Sequence, residues 1–243
     1  MDDLFVDKMV SGGQQLGITF SDRQIEQFFQ YYQLLIEWNR VMNLTAITEM
    51  EDVVTKHFID SLSLVHGINM DDHLNRYMID VGSGAGFPGI PLKICFSSLR
   101  VTLLDSLNKR IQFLQTVIHD LKLDDIAAIH GRSEDFGRNI QYREKYDYCV
   151  SRAVANMSTL SEYCIPFVKC GGYFIAYKSG NIDEELKQSE HAIDILGGKI
   201  DRIIKFQLSN TDLSRSMVVI KKTKHTLNKY PRKAGVPSKS PLL

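Results

Sequence analysis

At 243 residues the chain is long enough for one large domain with an appendage, and for a sizeable buried core. Its 44% hydrophobic and 24% charged residues exclude the disordered, collagen-like and disulfide-scaffold classes. The 29 basic and 29 acidic residues cancel, yet seven of the basic ones and none of the acids fall from Lys221 onward, so the body carries −7 and the tail +7; a polyanionic partner is therefore not excluded by the neutral sum.

No run reaches the roughly 18 apolar residues of a membrane-spanning helix. Met1-Asp2-Asp3-Leu4 is acidic where a secretory signal is basic, so a cytoplasmic protein is expected. Cys95, Cys149, Cys164 and Cys170 show no C-x-x-C spacing and read as free, buried thiols. No cluster with metal-ligand spacing occurs.

Residues 1–70 read as a helical cap. Ser21-Asp22-Arg23-Gln24 is a capping-box pattern, and Ile25, Phe28, Phe29, Tyr32, Leu35 and Ile36 keep a helical rhythm that carries the helix to about Val41. Thr48-Glu49-Met50-Glu51 repeats the pattern and opens a second helix with Val53, Val54, Phe58 and Leu62 on its apolar stripe.

After Asp71 and Asp72 short apolar runs alternate with helical stretches. Strands are expected at Tyr77 to Val81, Arg100 to Leu104, Ile126 to His130, Tyr146 to Val150 and Tyr173 to Tyr177. Helices fit at Ile90 to Phe96, Leu107 to Leu121, Met157 to Val168 and Asp183 to Leu196. That alternation argues for a parallel sheet covered on both faces. Lys199 to Phe206 and Ser216 to Lys222 have no helix between them and read as an antiparallel hairpin closing the sheet. The expectation is an α/β fold: a Rossmann-like domain of the methyltransferase type over 71–222, with a seven-stranded, mostly parallel sheet, and a basic tail over 223–243.

Directly after the first strand comes Asp80-Val-Gly82-Ser-Gly84-Ala-Gly86-Phe87-Pro88-Gly89. Glycines allow a sharp turn and close ligand approach, and Pro88 suits the first turn of a helix; a loop there lies where nucleotides bind. Counted from Gly82, the dinucleotide pattern fails because its third glycine position is Phe87. A slipped register (Gly84, Gly86, Gly89) satisfies it and leaves an NAD-dependent oxidoreductase as the rival enzyme class. An acid followed by G-x-G-x-G fits Asp80, Gly82, Gly84 and Gly86 without a slip and resembles motif I of S-adenosylmethionine-dependent methyltransferases. Asp105 closes the second strand, either as a partner for ribose hydroxyls or as a helix cap. Arg132-Ser133-Glu134-Asp135 puts polar groups beside an adenine site, or forms a solvated turn.

No [DN]-P-P-[YF] tetrapeptide follows the fourth strand and no Pro-Cys exists, which disfavours methylation of exocyclic amines and of pyrimidine C5. A ring nitrogen such as guanine N7 already has an in-plane lone pair, so positioning and desolvation supply most of catalysis, and no catalytic base is assigned. Arg152 could bond guanine O6 or a phosphate, or pair with a nearby acid. Asn39 and Asn43 could share a helix face, as could His57 and Asp60; the alternatives are local capping and a role over the active-site mouth, with His57 either protonated against phosphate or structural.

Trp38-Asn39, Asn43-Leu-Thr-Ala-Ile47, His57-x-x-Asp60-Ser61, the stretch Asp80 to Leu92, Leu104-Asp-Ser106 with Lys109-Arg110, Ser151-Arg-Ala-Val-Ala155 and Lys229-Tyr-Pro-Arg-Lys-Ala-Gly235 with Pro237, Lys239 and Pro241 together closely resemble the bacterial ribosomal RNA small-subunit methyltransferase G family, also called glucose-inhibited division protein B. The resemblance implies transfer of a methyl group from S-adenosylmethionine to N7 of one guanine in the 530 loop of 16S rRNA. It implies cofactor contacts at Gly82, Gly84, Phe87, Asp105, Ser133, Glu134 and Arg152, and substrate contacts at Asn39, Asn43, His57, Arg152, Arg232 and Lys233. The expected partner is 16S rRNA or the small ribosomal subunit, with no DNA, no membrane and a monomeric chain. A ribosome-assembly factor that has lost turnover is the non-enzymatic alternative.

Overall fold

The computed structural model describes residues 2–69, 74–153, 155–208 and 211–242; the boundary expected near Asp71 and Asp72, and Val154, lie outside the described residues. The N-terminal segment contains α1 (Asp3–Gln15), α2 (Asp22–Met42), α3 (Met50–Val53), a π-helical stretch (Val54–Ile59) and α4 (Asp60–Leu62), followed by a 3-10 turn at Ser63–His66. The α2 capping box forms as expected, Ser21 and Gln24 each bonding the other's backbone N–H. The second one does not: α3 is preceded by Glu49, which makes no side-chain cap bond. α1, whose Gly12 and Gly13 weaken its helical signal, carries Phe5 and Met9 into the core.

The strands are β1 (Tyr77–Val81), β2 (Arg100–Asp105), β3 (Ile126–His130), β4 (Tyr146–Ser151), β5 (Val168–Ser179), β6 (Gly198–Gln207) and β7 (Ser214–Lys222). Between them lie α5 (Gly89–Cys95), α6 (Asn108–Asp120), α7 (Ser133–Phe136), α8 (Met157–Cys164) and α9 (Asp183–Ile195), with α10 (Val236–Lys239) in the tail. The helix expected to run to Val168 stops at Cys164 in a 3-10 turn, Ile165–Phe167; Pro166 has no N–H to continue the ladder. The sheet order is β3-β2-β1-β4-β5-β7-β6. β1 to β5 pair in parallel, and β7 inserts antiparallel between β5 and β6, so the expected hairpin closes the sheet with its second strand innermost.

Both faces of this sheet are covered, as a parallel sheet requires. Along β5, Phe174 and Ala176 enter the core under α8 and α9, while Ile175 and Tyr177 enter the one shared with Phe28, Tyr31, Phe58 and Phe113. The two-residue period of the strand thus splits one apolar run between two layers. The N-terminal helices contribute to the second layer and are continuous with the Rossmann-like core.

Candidate active site

β1 has β2 on one side and β4 on the other, so the chain switches direction there and opens a crevice at the carboxyl ends of the strands. A cavity of about 640 Å³ fills it, lined by residues of the glycine loop, the β2 and β3 ends, Arg152, the N-terminal segment and the C-terminal tail. Of the expected site residues, Gly82, Gly84, Phe87, Asp105, Ser133, Glu134, Arg152 and His57 converge on its wall; Asn39, Asn43, Arg232 and Lys233 do not.

The glycine loop is tied to β2 by Gly82 N–H and Ser83 N–H, both donating to Leu104 O (2.8 and 3.2 Å). Gly82 and Gly84 lie at φ +74° and +60° with open space where a side chain would project: the nearest atoms to a Cβ are Ala153 Cβ at 3.4 Å and Gly82 O at 4.0 Å. That space is a cradle which side chains would fill. Gly89 is fixed for a different reason, since a Cβ there would lie 2.3 Å from Leu103 and 2.9 Å from Asp80 Oδ2. Pro88 precedes α5 as its cap residue, after a cis peptide bond, and not within the first turn.

Beneath the loop, Asp80 is fully buried. Its Oδ2 accepts from Gly89 N–H (2.9 Å), while Oδ1 has no partner. Burial pushes its pKa up to about 7, against the lowering effects of the Gly89 N–H and Arg152. Asp105 is not the cap residue of α6, which is Leu107; its Oδ1 accepts from Leu107 N–H (2.9 Å) just ahead of that helix, and Oδ2 accepts from Gly84 N–H (2.9 Å) and Arg110 (3.3 Å), so the acid orients the loop it faces.

Further along the loop, the His57 ring stacks on Phe87 (centroids 4.4 Å apart, 15° between planes), and Arg152 lies over the same Phe87 ring, 5.9 Å from its centroid. His57 Nε2 is 2.8 Å from Thr45 Oγ1, while Nδ1 is buried without a partner. Burial, aided by the Arg152 charge, lowers its pKa to about 4, so the imidazole is neutral near pH 7 and the phosphate-binding imidazolium does not form. Nor does the His57–Asp60 pair. Residues three apart share a face of an α-helix, but Val54–Ile59 is π-helical, and Asp60 instead accepts from Arg152 Nη2 and Arg215 Nε, both at 3.0 Å. Arg152 also donates to Lys56 O (3.0 Å), His57 O (3.3 Å) and Ser61 Oγ (3.0 Å). Its fork therefore holds the π-helical stretch against the end of β4.

Asn39 and Asn43 act one step back from the cavity. Asn43 ends α2 in the left-handed region (φ 48°), and Asn39 Oδ1 accepts from Thr45 N–H (2.9 Å); the fold they impose puts Leu44 and Thr45 on the cavity wall. The tail is packed against the body. Arg232 is spent on Glu162, a fully buried carboxylate that accepts from its backbone N–H and guanidinium at 2.6–3.1 Å, which corrects its reading as a phosphate contact; Lys233 is exposed. Tyr163, Gly235 and Ser238 line the cavity without having been singled out as site residues. Only Gly235 stood in a quoted motif, and nothing in the sequence placed the tail beside the β3 turn.

Residues 24–215 match the family described as GidB, rRNA small subunit methyltransferase G. Relatives named Ribosomal RNA small subunit methyltransferase G include that of Lachnoclostridium phytofermentans, 52% identical over 234 residues and 96% of either chain. That of Clostridium botulinum (strain Loch Maree) is 49% identical over 238 residues, 98% of this chain and 99% of the relative. Among solved structures, precorrin-6y C5,15-methyltransferase from Geobacter metallireducens superposes with a TM-score of 0.50 at 11% identity, covering 73% of this chain and 90% of that one. M. jannaschii TYW2 in complex with AdoMet gives 0.50 at 14% identity, covering 67% and 76%; at such identities the likeness is one of fold. The extent of the family match and the end-to-end relatives lead to one conclusion: the chain belongs to the rRNA small subunit methyltransferase G (GidB) family.

Proposed function

We propose that the protein transfers the methyl group of S-adenosylmethionine to N7 of a single guanine in the 530 loop of 16S rRNA. The family supplies the reaction and the substrate, and the observation that carries the cofactor reading is the open glycine cradle flanked by two carboxylates at the switch point of the sheet. S-adenosylmethionine supplies an electrophilic methyl group when bound.

The chain's own residues bind and orient. Gly82 and Gly84 admit the amino-acid part of the cofactor, Asp105 faces the ribose hydroxyls, Ser133 and Glu134 meet the adenine, and Phe87 with His57 forms the apolar wall that excludes water from the reacting base. With His57 neutral, its Nε2 bonded to Thr45 and its Nδ1 buried, the wall offers no accessible imidazole base. Guanine N7 attacks through a lone pair that needs no deprotonation, so orientation and desolvation suffice. Arg152 sets the position of that wall. Exposed Lys233 and Lys239, with Arg132 at the cavity rim, provide the positive charge that meets RNA phosphates, and the substrate is the rRNA of the small subunit.

Competition binding separates this reading from the oxidoreductase alternative. S-adenosylmethionine and S-adenosylhomocysteine are expected to bind and displace one another, with no change in NADH fluorescence on addition of protein. Binding of NADH in place of either would overturn it.

A further inference from the structure

We propose that the C-terminal arm, residues 223–242, is the wall of the cofactor pocket at its nucleoside end, and that the Arg232–Glu162 pair is the positioning device that holds this wall in place. The inference rests on the cofactor reading above and extends it to residues outside the Rossmann-like core.

The arm is anchored at three successive points. At its base, Arg143 Nη2 donates to Thr226 O (2.5 Å) and Nη1 to Tyr230 O (2.8 Å), while Thr226 N–H donates to Glu144 (2.8 Å). In its middle, Arg138 Nε donates to Pro231 O (2.7 Å), and the Glu162 carboxylate on α8 takes the backbone N–H and the guanidinium of Arg232. Glu162 is fully buried, and a buried carboxylate must be paired, so the position of Arg232 is dictated by α8. At its far end, Thr159 Oγ1 donates to Pro237 O (3.1 Å).

On either side of the third anchor the arm meets the cavity. Gly235 and Ser238 line it together with Tyr163 of α8, and Gly235 N–H donates to Glu134 Oε1 (2.8 Å). Glu134 opens α7 directly after β3 and lines the cavity with Ser133. One carboxylate therefore joins the arm to the turn facing the adenine. This end of the cavity combines Leu160, the Tyr163 ring and backbone polar groups, which suits a flat purine with hydrogen-bonding edges better than the charged amino-acid end. The arm's other residues Lys233 and Lys239 are exposed, so the positive charge of the tail faces solvent while its glycine and serine face the cavity.

The test is calorimetric titration of the full-length chain with S-adenosylhomocysteine, at a temperature well below the unfolding midpoint of each variant. Arg232→Ala removes the second anchor, and Gly235→Val distorts the wall itself, because Gly235 sits at φ +80°, where a β-branched residue is strained. Both are expected to weaken S-adenosylhomocysteine tenfold or more and to raise KM for S-adenosylmethionine while kcat at saturating cofactor changes less than threefold. Arg232→Lys, which keeps the charge but not the fork, is expected to fall between, and Lys233→Ala to keep its affinity for S-adenosylhomocysteine within twofold of wild type. A pair with a structural role alone lowers thermal stability and leaves the affinity of the folded protein unchanged; folded Arg232→Ala and Gly235→Val proteins binding within twofold of wild type would overturn the proposal. If Arg232→Ala does not fold, Gly235→Val decides. Failure of the wild-type chain to bind S-adenosylhomocysteine is a separate result, and overturns the cofactor reading on which this one stands.

Discussion

Replacing Asp80 by Asn is expected to make the protein progressively more stable than wild type as pH rises. The carboxyl is fully buried beneath the glycine loop, with Oδ2 on Gly89 N–H and Oδ1 unpartnered. Burial raises its pKa from the ordinary 3.8 to about 7; Arg152 and Ser83 lower it, Asp105 raises it, and Tyr31, Tyr177 and Cys149 border it as neutral groups. That displacement corresponds to ~4 kcal/mol of preference for the neutral form. The sign follows from linkage. A carboxyl whose pKa is higher in the folded state contributes stability that is full below pH 3.8 and lost as pH rises to about 7. Asn keeps the acceptor for Gly89 but puts an amide where Oδ1 had no partner, a cost of ~1–3 kcal/mol that is the same at every pH, so the slope is the readout. Between pH 5.5 and 8, the difference in unfolding free energy should move toward Asn by ~2 kcal/mol, or roughly 4–8 °C in Tm for a chain of this size. Parallel thermal melts across that range measure it. A difference that stays constant with pH would refute the reasoning, because the carboxyl would then titrate alike in the folded and unfolded chains.

Asp60→Ala leaves Arg152 and Arg215, both mostly buried, without their shared carboxylate, and should cost ~3–5 kcal/mol in urea unfolding; a loss below ~1 kcal/mol would show that the pair is not a structural clamp. His57, with its pKa lowered to about 4, is expected to remain neutral in NMR titration from pH 6 to 8, and a midpoint near 6.5 would contradict the buried, Thr45-bonded ring. Lys233→Ala with Lys239→Ala should weaken RNA binding and flatten the log-log salt dependence by about 0.7 per charge removed, leaving cofactor affinity unchanged; an unaltered slope would remove the arm from the RNA interface.

Much of the fold was legible because its signals are local. The short apolar runs of β5 and β7, the glycine loop after β1, and the Ser21 capping box each depend on neighbouring residues; each forms over the residues the pattern names, with β5 beginning earlier than expected, at Val168. The site was legible along the three strand ends, which bring Gly82, Asp105 and Glu134 to one cavity. The rest depended on geometry that spacing does not encode. His57 and Asp60 are three apart, but the π-helical stretch sends one onto Phe87 and the other to two arginines. Arg232 stands in a basic tail, yet what decides its role is Glu162, seventy residues earlier in sequence and buried in α8. Charge counting describes a surface, and it cannot identify a cation that is already spent on a buried acid.

The central claim meets its most direct test in a single labelling experiment. The purified protein is incubated with methyl-labelled S-adenosylmethionine and either 16S rRNA or small subunits from a strain lacking this modification, and the labelled base is then mapped. Label confined to N7 of one guanine in the 530 loop is the predicted result. Label on another atom or another RNA, or none under conditions where the cofactor is bound, would contradict it.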